Sequence, residues 1–331
     1  MKPTIVHILN DRHVGGVTAT LQSLLTSPLQ EHFTLSTLTT SEALTQLRQL
    51  RPAMTVWHEA CAWRTLPTLA RLRRASRLLI HEHHYCAGFE RWNVSARRRF
   101  HWMLRCAYGL SHRVVAVSHA QAAWMQRAHL VSAHKVTTIQ QCRTLTAFRA
   151  VPDTVATPPY VLGVYGRFCQ QKGLDTVLRA LQRIPQQPLR LLVGGYGEDE
   201  AMLRALAGAD PRITFVGMLT DVPAFLRQCD AVLIPSRWEP WGNVWLEVKA
   251  AGKPAIVSQV DGLTEQMADC GMLAPPDDVQ AWADAVTRLC ALDPQTLHQW
   301  GHNGRQAIAG AWEHYVASWE AAYWHLLETS S

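Results

Sequence analysis

No stretch of the sequence approaches the roughly 20 apolar residues that a membrane span needs, although 48% of its 331 residues are hydrophobic. That apolar share is enough for real cores, and the length fits two domains of ordinary size. The eight cysteines are scattered singly from Cys61 to Cys290, and none forms a CxxC pair. No His/Cys spacing suggests zinc, so reduced thiols in a cytosolic protein are expected. Asp-x-Asp occurs nowhere, and no His/Asp/Cys cluster offers a plausible metal cage, so no metal is expected. The first turn, Asn10 to Gly16, lacks the GxGxxG of a dinucleotide dehydrogenase. Internal repeats and low-complexity segments are absent too. A strand that starts almost at Met1 leaves no room for a signal peptide.

Charge is present but uneven. Residues 1–157 hold 19 Lys+Arg and 7 Asp+Glu, whereas residues 158–331 hold 13 and 19. The first half therefore faces something anionic, with nucleic acid and an anionic lipid surface as the candidates.

Along the chain, short apolar runs alternate with helical patterns. Strands are expected at Thr4–Leu9, Phe33–Leu38, Met54–Trp57, Leu78–His81, Val114–Val117 and Val136–Ile139. Three prolines between Val151 and Pro159 have the composition of a linker. A second series follows at Tyr160–Tyr165, Leu189–Val193, Ile213–Val216, Ala231–Ile234 and Ala255–Val257. Repeated β-α alternation argues a parallel sheet covered on both faces. The expectation is an α/β protein of two doubly wound Rossmann-like domains, residues 1–152 and 153–310, with a cleft between their facing loop edges. Residues 311–331 form a final helix carrying Trp312, Tyr315, Trp319, Tyr323 and Trp324, which are read as core packing.

The most informative stretch is Ser236-Arg-Trp-Glu-Pro-Trp-Gly-Asn-Val-Trp-Leu-Glu-Val-Lys-Ala-Ala-Gly252. It follows the buried strand Ala231–Ile234. Glu239-Pro240 and Gly242 break the chain, and from Asn243 the spacing of Val244, Glu247, Val248 and Ala251 is helical. Glu239 thus sits on a loop at a strand's C-terminal end, where open parallel sheets bind ligands, and Glu247 sits about one turn into the next helix. Amides at that helix start can receive an anion. Two further loops have the same character. Gly166 permits a tight exit from its strand, after which Arg167 and Lys172 project from a loop leading into a helix. Gly194-Gly-Tyr-Gly197 is a glycine-rich turn before another helix. In the first half, Gly15-Gly16 is either a plain tight turn or a place where backbone amides approach a phosphate or an acceptor closely. His81-Glu-His-His84 ends another strand; alternation puts His81 and His83 on one side and Glu82 and His84 on the other.

The paired glutamates resemble those of retaining glycosyltransferases of the GT-B fold. Pro235-Ser236, Glu239-Pro240, Gly242, Glu247, Gly252 and Pro254 are similar to family 4 of those enzymes. The match covers nearly the whole chain and is stronger in the second half. The resemblance implies that Arg167 and Lys172 stabilise a leaving diphosphate, so that no essential metal and no cofactor is needed. It implies that Glu239 contacts hydroxyls of the transferred sugar and Glu247 the ribose. The remaining donor contacts would come from Gly166, Gly195, Gly197, Trp241, Gly242, Asn243 and Val244, with Gly15 and Gly16 in the first domain. His81 or His83 would point at the sugar, and the last helix would cross back to the first domain.

The implied activity is a cytosolic, retaining hexosyl transfer from a UDP- or GDP-sugar to a glycan or lipid-linked acceptor in bacterial polysaccharide or envelope synthesis. The protein would be peripheral on the inner membrane face. Some positions depart from the pattern. Gln140, Gln141, Cys142 and Thr144 replace the Pro, Asn, Gly and Asp of the usual inter-domain segment, and Val248-Lys249 replaces Ala-Met. The rival readings are a nucleotide-sugar epimerase or hydrolase of the same fold, and a non-enzymatic nucleic-acid binder. The second lacks any RNA-binding signature, so no nucleic-acid partner is expected.

Overall fold

The computed structural model describes residues 2–10 and 15–328. The expected loop from Asn10 to Gly16 therefore lies mostly outside the described residues. The chain divides into two compact units, one of residues 1–144 together with 310–331 and one of residues 145–309.

The first unit is built on six parallel strands: β1 (Thr4–Ile8), β2 (Thr34–Leu38), β3 (Met54–Trp57), β4 (Arg77–Glu82), β5 (Arg113–Ala116) and β6 (Val136–Thr138). Their spatial order is β2-β1-β3-β4-β5-β6. All four residues of β3 are buried, as expected of a strand with helices on both faces. The order reverses at β1, so β1, β3 and β4 lie side by side. The final helix, Ala311–Glu328, packs into this unit. Tyr315, Trp319 and Tyr323 are spaced four apart on one face and all are buried, with Tyr323 edge-on to Phe33 at 5.3 Å between ring centres. Arg77 donates to the carbonyl of Leu326 at 2.6 Å and anchors the end of that helix. The aromatic residues of the tail are core packing.

The second unit holds β7 (Tyr160–Arg167), β8 (Leu189–Tyr196), β9 (Ile213–Gly217), β10 (Ala231–Ile234), β11 (Ala255–Ser258) and β12 (Gly271–Ala274). The order is β12-β11-β10-β7-β8-β9, again all parallel. Its core surrounds the fully buried Trp282 and includes Leu162, Val164, Leu178, Leu181, Leu191 and Val193. The edge strand β12 escapes a reading from sequence because Gly-Met-Leu-Ala has little β-propensity and three of its four residues are only half-buried.

The unit boundary and the ends of two strands move. The units part at Thr144 rather than at residue 152. Phe148 and Val151 are buried, Arg149 donates to the carbonyl of Ile308 at 3.1 Å, and Arg305 donates to that of Val151 at 2.6 Å. These contacts tie the segment before the prolines into the second unit. Strands β7 and β8 also run past their expected ends, pairing Gly166 with Gly195 and Arg167 with Tyr196. Gly166 is therefore a strand residue, and Gly194–Tyr196 is a strand end rather than a turn.

Candidate functional site

In the second sheet, chain order reverses between β10 and β7, and the loops leaving these two strands diverge from one point. That is where an open α/β sheet leaves a crevice for a ligand. The two loops carry the charged side chains picked out from sequence. Lys172 lies at the end of a short 3-10 turn, Gln170–Lys172. Its ammonium forms an ion pair with Glu239 on the loop after β10. Ser236 donates to the same carboxylate at 3.4 Å. The Glu239 amide donates to Asp261 at 3.3 Å, and its carbonyl accepts from the amide of Gly262 at 3.1 Å. Glu239 is thereby fixed from both its backbone and its side chain. Glu247 is buried on the helix Asn243–Ala250, and the hydroxyl of Tyr165 on β7 donates to it at 2.9 Å. A small pocket is lined by Tyr165, Lys172, Ser236, Glu239, Gly242 and Val244.

Arg237 holds the loops in register. Its guanidinium forks onto Asp175 with bonds of 3.0 and 2.8 Å. It reaches Asp277 at 2.9 and 2.5 Å, and the carbonyl of Gln170 at 2.9 Å. Burial opposes its charge, but the bonds and charges of Asp175 and then Asp277 win and raise its pKa above the usual arginine value. Gly173 completes the turn. Its φ of 60° is left-handed, and a Cβ there would strike the carbonyl oxygen of Pro235. At Gly195, φ is 138° and a Cβ would strike the carbonyl oxygen of Gly166 on the paired strand.

Residues 159–291 match the family model for glycosyl transferases group 1. That stretch makes up most of the second unit, which is therefore similar to group 1 glycosyltransferases. Among characterised relatives, the chain is 34% identical over 191 residues to the lipopolysaccharide core biosynthesis glycosyltransferase LpsE of Rhizobium meliloti, covering 53% of this chain and 55% of that one. It is 36% identical over 164 residues to glycogen synthase of Thermus thermophilus, covering 47% and 37%. The aligned part thus spans about half or less of these relatives' lengths. Sucrose-phosphate synthase from Thermosynechococcus elongatus superposes with a TM-score of 0.80 at 20% identity, over 99% of this chain and 100% of the other. The Anabaena protein HepE, solved with UDP and glucose, superposes at 0.76 and 18% identity, over 97% and 99%. These likenesses show the fold, the GT-B pair of Rossmann-like domains.

Within the matched segment, the remaining expected donor residues lie near the same loops. Gly242 caps the helix from a left-handed φ of 100°. Trp241 is buried with its indole N–H unpartnered, and the side-chain oxygen of Asn243 is likewise buried and unpartnered. Val244 is half-buried, and Arg167 ends β7 exposed to solvent. Gly197 has φ of 156°, and a Cβ there would collide with the backbone of Phe168.

The other expected residues belong to the first unit. Gly15 is the N-cap of the helix Gly16–Leu25 with an extended φ of −148°, so its backbone makes no demand for glycine. His81 and His83 share a side, as alternation requires, with ring centres 3.9 Å apart. Glu82 lies on the opposite side, accepting from Tyr108 at 2.8 Å and from the amides of His84 and Tyr85 at 2.8 and 3.1 Å. His84 does not turn away. Its ring bonds the carbonyl of His58 at 3.1 Å. The expectation that no cluster could hold a metal is corrected here. His58, His81 and His83 each bring a ring nitrogen within 4.8 Å of the others. Burial pulls His7 and His83 down to about 3. It also lowers His58 and His81 well below the usual histidine range, with the neighbouring histidines adding to the effect.

Sequence reasoning missed Arg237, Asp175, Asp277, Tyr165, His7 and His58. Arg237 lies inside the quoted motif and was readable as a candidate. The partners of these residues lie tens of positions away and leave no local signal.

Replacing Arg237 with Met is expected to cost about 3 kcal/mol, since it strands two carboxylates that one guanidinium serves. The Asp277 side chain is 40% exposed, so Asp277→Asn is expected to cost under about 1 kcal/mol. Denaturant unfolding followed at the second unit's tryptophans checks both; equal losses would show that Arg237 is not the shared anchor.

Proposed function

We propose that the protein is a retaining, metal-independent hexosyltransferase. It moves a hexose from a nucleotide diphosphate sugar, UDP- or GDP-linked, to a glycan or lipid-linked acceptor, in bacterial polysaccharide or envelope-glycan synthesis. The observation that carries this reading is the Lys172–Glu239 pair beside buried Glu247 at the chain reversal of the segment similar to group 1 glycosyltransferases. Cleavage of the bond between the sugar's anomeric carbon and the diphosphate moves negative charge onto a phosphate oxygen. Lys172 lines that crevice as a fixed positive charge, and Arg167 stands exposed at the end of the adjoining strand. Bound sugar hydroxyls would take over part of Glu239's present bonding, and Glu247 would accept from the ribose. The acceptor hydroxyl attacks the anomeric carbon on the face that the diphosphate leaves. Its proton passes to the departing phosphate oxygen, so no protein base is required. The named relative in lipopolysaccharide core synthesis and the UDP bound to HepE support the acceptor and donor classes.

Lys172→Ala is expected to lower kcat roughly 10²-fold at saturating donor, the scale for one transition-state charge partner, while the melting temperature changes little. Product analysis with and without acceptor separates transfer from hydrolysis or epimerisation. Added Mg2+ or Mn2+ is expected to leave the rate unchanged. Near-wild-type turnover of Lys172→Ala, or a strict requirement for added Mg2+ or Mn2+, would overturn the donor-site assignment.

We further propose that the first unit docks on an anionic lipid surface. No described helix is long and apolar enough to cross a membrane. On the helix Arg97–Leu110, Met103, Leu104, Ala107 and Tyr108 are buried, so the apolar stripe is core. Trp102 is 60% exposed, and the exposed Arg98 and Arg99 lie one turn before it on the same face. An indole ring beside cations suits a headgroup layer, and each arginine contributes about 1 kcal/mol there. Arg97 is engaged with Glu90 at 3.3 Å, and Arg105 with the carbonyls of Ala128 and His129, so neither is free for this task. The wild type is expected to sediment with phosphatidylserine vesicles at low salt and to release at high salt. The Arg98→Glu/Arg99→Glu variant is expected to stay in the supernatant with its fold unchanged. A wild type that ignores such vesicles refutes the docking.

A further inference from the structure

Three neighbouring strands of the first sheet bring histidines to one edge. His7 lies near the end of β1, His58 immediately follows β3, and His81 lies near the end of β4, with His83 just beyond it. The side chains are bonded in series. The hydroxyl of Tyr323 meets Nε2 of His7 at 3.1 Å, Nδ1 of His7 meets Nε2 of His58 at 2.9 Å, and Nδ1 of His58 meets Nε2 of His83 at 2.9 Å. His81 takes no part in the series. It is 1% exposed, and both its ring nitrogens are buried without a hydrogen-bond partner. The Nδ1 of His83 is also buried and unpartnered. A buried polar group that bonds to nothing carries the full cost of losing water, commonly about 1–3 kcal/mol. Several such atoms gathered on adjoining rings call for a common cause.

We propose that His58, His81 and His83 form a three-imidazole site for a divalent transition-metal cation of the zinc class. One ring nitrogen from each already lies within 4.8 Å of the other two. Tetrahedral zinc with Zn–N distances of about 2.0–2.1 Å would bring them to separations of roughly 3.3 Å. The site therefore needs only small ring rotations, with the cation replacing the hydrogen bond between His58 and His83. That replacement fixes the remaining protons. With Nδ1 of His58 on the metal, its Nε2–H donates to Nδ1 of His7, and the Nε2–H of His7 donates to the oxygen of Tyr323. A metal-bound histidine usually has such a partner for its second nitrogen, which fixes its tautomer and orientation.

The donor set also decides the class of cation. Imidazole nitrogen suits zinc, copper, nickel or iron, whereas magnesium and calcium want carboxylate and carbonyl oxygen. Glu82, between His81 and His83 in the chain, spends its oxygens on Tyr108 and on the amides of His84 and Tyr85. Three protein ligands leave a fourth position, for which water or an anionic oxygen is the expected occupant. The site belongs to the first unit, and its cation is separate from the charge stabilisation assigned to Lys172 in the second.

Untagged full-length protein, stripped with chelator and dialysed, is titrated with Zn2+ against a competing dye, and separately with Co2+ while the visible spectrum is read. One equivalent per chain is expected. The Co2+ form should show the intense visible bands of a tetrahedral site, and the melting temperature should rise with Zn2+ by mass action. His7→Ala, which removes only the orienting partner, should weaken binding roughly 10- to 100-fold. His81→Ala and His83→Ala should weaken it further and abolish the Co2+ bands, while exposed His302→Ala leaves both unchanged. If His81→Ala does not fold, the half-buried His83 decides the matter. Absence of stoichiometric binding to wild type overturns the proposal, and so does binding that His83→Ala leaves intact. The readout is metal binding, so a protein that takes no cation yet transfers sugar refutes this site alone.

Discussion

The second unit depends on a guanidinium almost removed from water. Arg237 leaves the β10 loop and ends between Asp175, at the start of the helix after Gly173, and Asp277, beyond β12. Each of those carboxylates would repel the other were the cation lost. The backbone follows the same tie, since the amide of Arg237 donates to the carbonyl of Gln171 at 2.8 Å. The side-chain amide of Gln171 donates to the backbone carbonyl of Trp238 at 3.1 Å. The Gln170–Lys172 turn and the Ser236–Glu239 loop are therefore one object. Lys172 meets Glu239 because their neighbours on either side are bolted together. A flexible lysine gains little from an exposed carboxylate, but one held on a rigid turn keeps its charge at a fixed place, which electrostatic catalysis requires.

Much of this unit was legible in the sequence because its constraints are local. Gly173 is glycine because its φ is left-handed and the Pro235 carbonyl occupies the space of a Cβ. Such demands fall on one residue and leave a visible spacing. Strands β10 and β11 were equally plain, since the buried apolar runs Ala231–Ile234 and Ala255–Val257, bounded by breakers, admit few alternatives. Tyr165 and Asp277 were not legible. Each is made functional by a partner 40 to 82 positions away, and nothing beside it in the chain differs from an ordinary strand or loop. The unit boundary was misplaced for the same reason. Prolines announce a stiff segment, but burial of Phe148 and Val151 decides which core the preceding residues join.

The first unit handles polar groups in the opposite way. Where the second unit buries a charge and surrounds it with counter-charges, the first strips His7, His58 and His81 of water, and among the described residues His7 and His58 bond to rings and a hydroxyl rather than to a carboxylate. His7 and His58 then survive as neutral rings by bonding to each other, and Trp319 and Tyr323 from the last helix lie edge-on to His7. Neither position stood out in sequence. His7 occupies a strand that reads as hydrophobic, and His58 follows another. Only the reversal of strand order at β1 makes them neighbours.

That contrast bears on what each edge can do. A hydrogen-bonded series of imidazoles needs one proton per link, and a ring outside the series must find another partner or pay for the burial of its nitrogens. His81 lies against His83 and Trp319, in reach of both rings, yet neither satisfies its nitrogens. Burying a fourth histidine is hard to account for by packing alone, because an apolar residue of similar volume would fill the space at lower cost. The economical account is that the nitrogen lone pairs have a common target. The same edge-of-sheet geometry that brings Lys172 against Glu239 in the second unit thus brings unpartnered ring nitrogens together in the first.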